Sequence, residues 1–370
     1  MSASGRFLTR SRIVLAALGT TPGRARPEGE PKRVLVAHHP QMIGDTLLLS
    51  PLFAKLRHAY PRCEIVIATS AATQPLYATR PWGVEALRYD PREAATFRAF
   101  RKDGGYGLAI VPGDNRYGWF ARGAGARWVV GFGGDRPAYK NLLIDELHDY
   151  PATPGMWGEL ASGLVPGGDP PPYTTAQWPA PPFAPFERPK APYCAIQLGA
   201  STPLKLWPEE RWRALAEELE HRGLAVVWTG AAADAATVAR VDPQAKRTSF
   251  AGRLDLAQLW HLLAGARLLV TPDTGVAHLG RIVGVPTVTL FGPGSAVVAG
   301  AGRFWRDSPW RAVSVDPFAC RDQRTLFKRR VEWVRRCARS TRECAEPRCM
   351  QAITLEAVRA AIGELVPELR

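Results

Sequence analysis

The sequence predicts an α/β protein made of two doubly wound domains. Two observations carry that expectation. Short continuous apolar runs alternate with amphipathic stretches almost from end to end, and a proline-rich interval interrupts the alternation once before it restarts. Continuous apolar strands, as opposed to alternating ones, belong to parallel sheets covered on both faces. Strand–helix alternation winds helices onto both faces of such a sheet. A chain of 370 residues also exceeds the ~250–300 residues at which a single core stops growing.

In the first domain, expected over residues 32–164, Arg33–Ala37, Glu64–Thr69, Gly107–Val111 and Trp128–Phe132 read as buried strands. Thr46–Tyr60, Pro91–Lys102 and Arg116–Gly123 read as the helices between them. Ten prolines then fall between Val165 and Pro192, a density that excludes a helix or a central strand and predicts an extended linker over 165–192. The second domain, 193–353, opens with the strand Tyr193–Leu198. A helix from Pro208 to His221 follows, with proline at its first position and Glu209 and Glu210 at its positive end. Trp212, Leu215, Ala216 and Leu219 give that helix one buried stripe, and Gly223 suits its C-terminal cap. Leu224–Thr229, Leu254–Ala264, Leu268–Thr271, Thr274–Val283 and Thr287–Phe291 continue as strand, helix, strand, helix, strand. Thr354–Leu365 closes the chain as an amphipathic helix within a last segment, 354–370. Two such domains are expected to face a central cleft at the carboxyl ends of their strands, where open α/β sheets bind ligands.

Composition narrows the class. With 46% hydrophobic and 22% charged residues the chain is not disordered. No apolar run approaches the ~20 residues of a membrane span. The six residues Ile13–Leu18 lie among arginines and lack the full apolar core of a secretory signal, so a cytoplasmic protein is expected. The net charge is +14, and it is unevenly placed. Residues 1–31 form a basic N-terminal extension, and residues 320–349 form a basic, cysteine-containing segment. Such segments attract nucleic acid, an anionic membrane surface or an anionic substrate, or simply solvate a face. No helix-turn-helix or RNA-binding signature accompanies the charge, so a nucleic-acid partner is not expected. Cys63 and Cys194 fall in apolar runs and read as small buried hydrophobes. The spacings of Cys320, Cys337, Cys344 and Cys349 make no paired C-x-x-C knuckles. That favours reduced thiols over a structural metal or a redox-sensitive disulfide.

Several chemistries lack their motifs. There is no G-x-x-x-x-G-K-[ST], no G-x-G-x-x-G between strand and helix, no G-x-S-x-G and no Asp-x-Asp. A P-loop, a nicotinamide site, a hydrolase elbow and a carboxylate-bound metal are therefore not expected, and no resident cofactor is.

Three segments at strand ends carry chemistry. His38–Ser50 (HHPQMIGDTLLLS) places Asp45 at a helix start, as a general base or as a simple cap. Leu198–Pro208 (LGASTPLKLWP) offers Ser201, Thr202 and backbone N–H groups to a phosphate, with Lys205 as counter-charge, or is an ordinary exposed loop. Val270–Leu279 (VTPDTGVAHL) ends a strand in Asp273 and opens a helix at Thr274–Gly275, whose first N–H groups form an anion site. His278 follows on the same helix face, as a ligand or as a hydrogen-bonded core residue.

G-D-x-L-L-x-x-P after the first strand, G-A-S-x-x-x-K-x-W-P after the linker and D-T-G-x-x-H-L near the end together resemble glycosyltransferase family 9, the ADP-heptose:lipopolysaccharide heptosyltransferases. The resemblance covers about residues 32–293, and Phe291–Gly292–Pro293 and Cys344–Met350 are also similar. It implies the GT-B fold, two Rossmann-like domains with the donor on the second and the acceptor on the first. It implies an inverting, metal-independent transfer of a sugar, heptose from ADP-heptose, to a lipopolysaccharide-core or related cell-envelope glycan. Asp45 then matches the catalytic base, Lys205 with Ser201 or Thr202 the donor pyrophosphate site, and Asp273, Thr274, Gly275 and His278 the donor sugar and phosphate motif. The chain departs from the family where a Lys or Arg usually stands near His38 or His39. It departs again after Gly230, where Ala231–Ala233 precede Asp234 instead of a second glycine and a glutamate. A lipid-linked acceptor implies a peripheral position on the cytoplasmic face of the inner membrane, with the basic segments on the anionic surface. Two other readings share the architecture, a nucleotide-sugar 2-epimerase and a non-catalytic nucleotide-sugar binder.

Overall fold

The computed structural model describes residues 3–20, 25–101 and 104–369, so Lys102, the expected end of one helix, and part of the N-terminal extension lie outside the described residues. The chain divides into two compact units, Met1–Pro171 with Arg324–Trp333, and Pro172–Gln323 with Val334–Arg370.

The first unit runs α1 (Ala3–Leu18), β1 (Arg33–Val36), α2 (Ile43–Leu48), α3 (Ser50–Ala59), β2 (Glu64–Thr69), β3 (Val84–Arg88), α4 (Ala94–Arg98), β4 (Leu108–Val111), α5 (Tyr117–Gly123), β5 (Val129–Phe132), β6 (Glu146–His148) and α6 (Trp157–Ser162). Its sheet has the order β3-β2-β1-β4-β5-β6, parallel throughout, with Val34 opposite both Ile65 and Leu108. The central strands β4 and β5 are buried along their whole length. Sequence reading omits β3 and β6. They are edge strands with half-buried, charged residues, so they lack the continuous apolar run that marks an interior strand.

One expected helix, Thr46–Tyr60, is two. Pro51 has no N–H for the carbonyl of Leu47, and the Ser50 hydroxyl donates to that carbonyl instead at 2.7 Å. The break falls at Leu49. The N-terminal extension contributes α1, which packs on α5 and α4. Thr9, Ile13 and Ala17 form its buried stripe. Gly123 permits the approach, because a Cβ there would lie 2.9 Å from the Ile13 carbonyl oxygen.

The second unit runs β7 (Tyr193–Gln197), α7 (Glu209–His221), β8 (Ala225–Thr229), α8 (Ala235–Val241), β9 (Thr248–Ser249), α9 (Leu256–Ala264), β10 (Leu268–Pro272), α10 (Gly275–Val283), β11 (Thr287–Phe291) and β12 (Trp310–Ser314). The hairpin β13 (Thr325–Leu326) and β14 (Arg329–Arg330) belongs to the first unit, after which α11 (Arg348–Gln351) and α12 (Leu355–Leu365) complete the second. The order β12-β11-β10-β7-β8-β9 repeats that of the first sheet read from the other edge. Both are therefore Rossmann-like sheets whose strand order reverses once, at β1/β4 and at β7/β10. Trp212, Leu215, Ala216 and Leu219 form the buried face of α7, and Gly223 adopts φ +83° just beyond it.

The proline-rich segment contains only one short 3-10 turn, Thr175–Gln177. From Pro172 onward it belongs to the second unit. There Trp178 packs on Trp260, Phe183 stacks on His261 at 3.8 Å, and His261 Nε2 lies 2.8 Å from the Pro181 carbonyl. All six cysteines are free, and Cys63, Cys194 and Cys349 are buried. Among the described residues no group of three or more His, Cys, Asp or Glu side chains is placed to hold a metal ion. No helix among them is long and apolar enough to cross a membrane.

Candidate functional site

In the second unit the residues singled out from sequence meet at the point where strand order reverses. Lys205 lies in the loop after β7 and Asp273 directly after β10, the two strands that flank the reversal. Lys205 Nζ donates to the Asp273 carbonyl at 2.9 Å and to its carboxylate at 2.8 Å. An ammonium carries three donors, so one N–H remains for a ligand on a side chain that keeps 23% of its exposure. Asp273 is not the helix cap. Thr274 holds that position in extended backbone, and α10 opens at Gly275, with its first N–H groups unsatisfied by the helix itself. A Cβ on Gly294 would meet the Asp273 carboxylate at 2.3 Å, so a glycine beyond β11 leaves that carboxylate its room.

The neighbouring loop is split in role. Thr202 caps the short turn Pro203–Lys205 by accepting from the Leu204 N–H at 3.4 Å, whereas Ser201 is exposed. Trp207 of the same motif is structural, donating to the Ile353 carbonyl at 2.8 Å. Asp234 lies at the adjoining strand end. Its carboxylate accepts from the Ala231 N–H at 2.7 Å, and a Cβ on Gly199 would overlap it at 1.8 Å. The carboxylate after β8 thus sits directly on the glycine that opens the Lys205 loop.

His278 is buried, and Arg281 one turn on donates to its Nδ1. Arginine is always a donor, so Nδ1 accepts and Nε2 carries the hydrogen. Arg281 was not singled out from the sequence. It is fully buried, lies 5.0 Å from the centre of the Trp305 ring and 4.7 Å from that of Trp310, and donates to the Ala299 and Gly300 carbonyls. Burial pushes its pKa down to about 9, against the opposing Asp273 carboxylate. The H-x-x-R spacing on one helix face was its only trace in the sequence. Burial, then the charges of Arg281 and Lys205, hold the His278 pKa well below the usual histidine value, so a neutral ring presents one N–H donor.

His38, at the end of β1, is likewise buried, and burial lowers its pKa to about 3. The unfolded chain protonates both histidines near pH 6.5 while the folded chain does not. Stability therefore falls as pH drops below 6.5, by about 1.4 kcal/mol per pH unit per histidine. Melting temperatures of the wild type should decline from pH 7 to pH 5, and His38→Asn should flatten the slope. An unchanged slope in the variant contradicts the assignment.

In the first unit Asp45 stands in the first turn of α2, half-buried, with Met42 as the N-cap. The simple capping role considered from sequence is therefore not its position. The loop that delivers it is braced on both sides, towards the residue after β3 and, across the β1/β4 reversal point, towards α5. The Gln41 side chain donates to the Tyr89 carbonyl at 3.2 Å, and the His39 ring lies 6.1 Å from Tyr117 at the start of α5. Beside it, Arg329 is buried and donates to the carbonyls of Gly113 (2.8 Å), Phe132 (2.9 Å) and Gly133 (2.8 Å) and to Asn115 Oδ1 (2.8 Å). It thereby ties together the loops after β4 and β5. Within the basic run Arg329 was indistinguishable from its neighbours, and it is not part of a solvated face. Nor is Arg321, which holds the Phe291 and Gly292 carbonyls at 2.7 and 2.6 Å.

Asp45 thus belongs to the first unit, and Ser201, Thr202, Lys205, Asp273, Thr274, Gly275 and His278 to the second. Two Rossmann-like units, the second with an ammonium, a neutral histidine and a helix start at its switch point, define a protein of the GT-B fold. Comparisons narrow this. Residues 165–310 match the family model of glycosyltransferase family 9 (heptosyltransferase). Lipopolysaccharide heptosyltransferase 1 of Pseudomonas aeruginosa is 40% identical over 115 residues, 30% of this chain and 32% of that protein. Lipopolysaccharide heptosyltransferase 2 of Escherichia coli is 26% identical over 298 residues, 69% of this chain and 82% of that protein. The structure of the E. coli ADP-heptose lipopolysaccharide heptosyltransferase II superposes with a TM-score of 0.67 at 21% identity, covering 91% of this chain and 99% of that one. The second unit thus matches glycosyltransferase family 9, and the chain is similar over most of its length to lipopolysaccharide heptosyltransferases.

Proposed function

We propose that this protein transfers a sugar, heptose from ADP-heptose, to a lipopolysaccharide-core or related lipid-linked glycan, with inversion and without a metal. The observation that carries the reading is the Lys205–Asp273 pair at the start of α10. The donor diphosphate takes the remaining Lys205 N–H, the first amides of α10 and the His278 Nε2–H. As the anomeric carbon–oxygen bond breaks, negative charge grows on the departing diphosphate. These donors therefore stabilise the transition state more than the ground state. Asp45 accepts the proton of the acceptor hydroxyl as its oxygen bonds to the anomeric carbon from the opposite side. The cationic side chain and the helix start do the work that a divalent ion does in metal-dependent transferases. The family-model match over residues 165–310 and the ADP-heptose named for the E. coli structure support the donor. A lipid-linked acceptor supports a peripheral site on the cytoplasmic side of the inner membrane.

The test is transfer from ADP-heptose to purified lipopolysaccharide-core acceptors, with and without a chelator, with the product's anomeric configuration read by NMR. Transfer with inversion, unchanged by the chelator, is expected. Loss of transfer on chelation, or epimerisation of the donor without transfer, contradicts the reading.

A further inference from the structure

The basic run at 320–349 makes a poor membrane surface, because most of its arginines are engaged. Arg321 and Arg329 are buried on backbone carbonyls, Arg324 and Arg330 both pair with Glu332, and Arg339 pairs with Asp322. The helix α1 is different. Its buried stripe Thr9, Ile13 and Ala17 attaches it to the first unit, and its opposite side is apolar and open. Phe7 is 74% exposed, Leu15 69%, Leu18 70% and Leu8 50%. At about 100° per residue, Phe7, Val14, Leu18, Leu15 and Leu8 fall in one arc roughly 120° wide, which only the half-buried Ser11 interrupts among the residues whose side chains are described. Arg10 and Arg12 flank that arc on its two sides. The helix carries no acidic residue.

We infer that α1 is the membrane-docking element of this protein, lying in the interface of an anionic bilayer with its apolar arc inserted. A helix that spends one face on its own domain and leaves a second apolar face outward has a partner for that face. An aliphatic and aromatic arc with arginines on both flanks and no carboxylate is matched by acyl chains beneath anionic headgroups. Two copies of α1 packed face to face would instead bring four flanking arginines together without a counter-charge. The helix also sits on the acceptor side. Arg10 lies close enough to Tyr89 and Tyr117 to oppose the rise that burial imposes on both phenols, and Tyr117 faces His39 in the loop leading to Asp45. Docking through α1 would hold that loop near a lipid-linked acceptor. In this last respect the inference rests on the acceptor proposed above; the docking itself does not.

The experiment uses the full chain and vesicles that contain neither donor nor glycan acceptor, so a failure here is distinct from a failure of the transfer reaction. Vesicles of two parts phosphatidylcholine to one part phosphatidylglycerol are compared with pure phosphatidylcholine by co-sedimentation. Wild type should bind the anionic vesicles. The triple variant F7S/L15S/L18S, altered only at exposed positions, should lose about tenfold or more in partitioning, with an unchanged melting temperature and unchanged transfer to a delipidated acceptor. R10Q/R12Q should weaken binding and flatten its salt dependence. Binding by the triple variant equal to wild type overturns the inference. So does equal wild-type binding to the two vesicle types, or a wild-type dimer in sedimentation velocity that the triple variant abolishes.

Discussion

Asp45→Asn is expected to lower turnover on the order of 10²–10⁴-fold, the range over which a positioned general base acts. Asparagine keeps the size and first-turn position of the carboxylate but has no lone pair basic enough to take the acceptor proton. The residue stands half-buried in the first turn of α2, after a loop braced through Gln41 and His39, and asparagine suits that position, so the substitution should not disturb the fold. Steady-state kinetics with saturating ADP-heptose separates the effects: kcat falls, and KM for the donor, held by the other unit, stays close to wild type. Turnover within a few-fold of wild type would remove Asp45 from the chemistry and assign the base elsewhere.

The second large effect is on stability. Arg329→Met should destabilise the first unit by about 3–5 kcal/mol, the cost of removing one partner from a buried charged network. The guanidinium satisfies three backbone carbonyls and Asn115 Oδ1, and it stands 3.7 Å from the buried Asp135 carboxylate. Methionine fills the volume and satisfies none of them, and each orphaned buried carbonyl costs about 1–3 kcal/mol. Lysine keeps the charge but lacks the planar fork, so Arg329→Lys should fall between the two. Denaturant melts monitored by fluorescence check this. A loss below about 1 kcal/mol would mean that the network is exchangeable with solvent.

The interior of both sheets was legible because parallel strands buried on two faces announce themselves as unbroken apolar runs, as β4, β7, β10 and β11 do. The edges were not. Val84–Arg88 and Trp310–Ser314 carry charges on half-exposed faces, and the two-residue β9 is too short to leave a pattern. The cluster in the second unit was legible as two motifs at strand ends, since a glycine, a helix start and a charge at fixed spacing have a local cause. What the motifs do not display is the long-range partner of each residue. That Lys205 grips Asp273 follows from the pairing of β7 with β10, whereas Arg281 fixes the His278 tautomer from the next turn of the same helix. Arg329 and α1 show the same limit in the other direction. A count of arginines treats a buried staple and an exposed flank alike, and only burial tells them apart.

The most direct test of the account is calorimetric titration of ADP into three proteins: wild type, Asp45→Asn and Lys205→Ala. The account predicts equal affinity for the first two and a loss of roughly 10–100-fold for the third, the worth of a charge-assisted hydrogen bond. ADP binding that is indifferent to Lys205, or weakened as much by the change at Asp45, would contradict it.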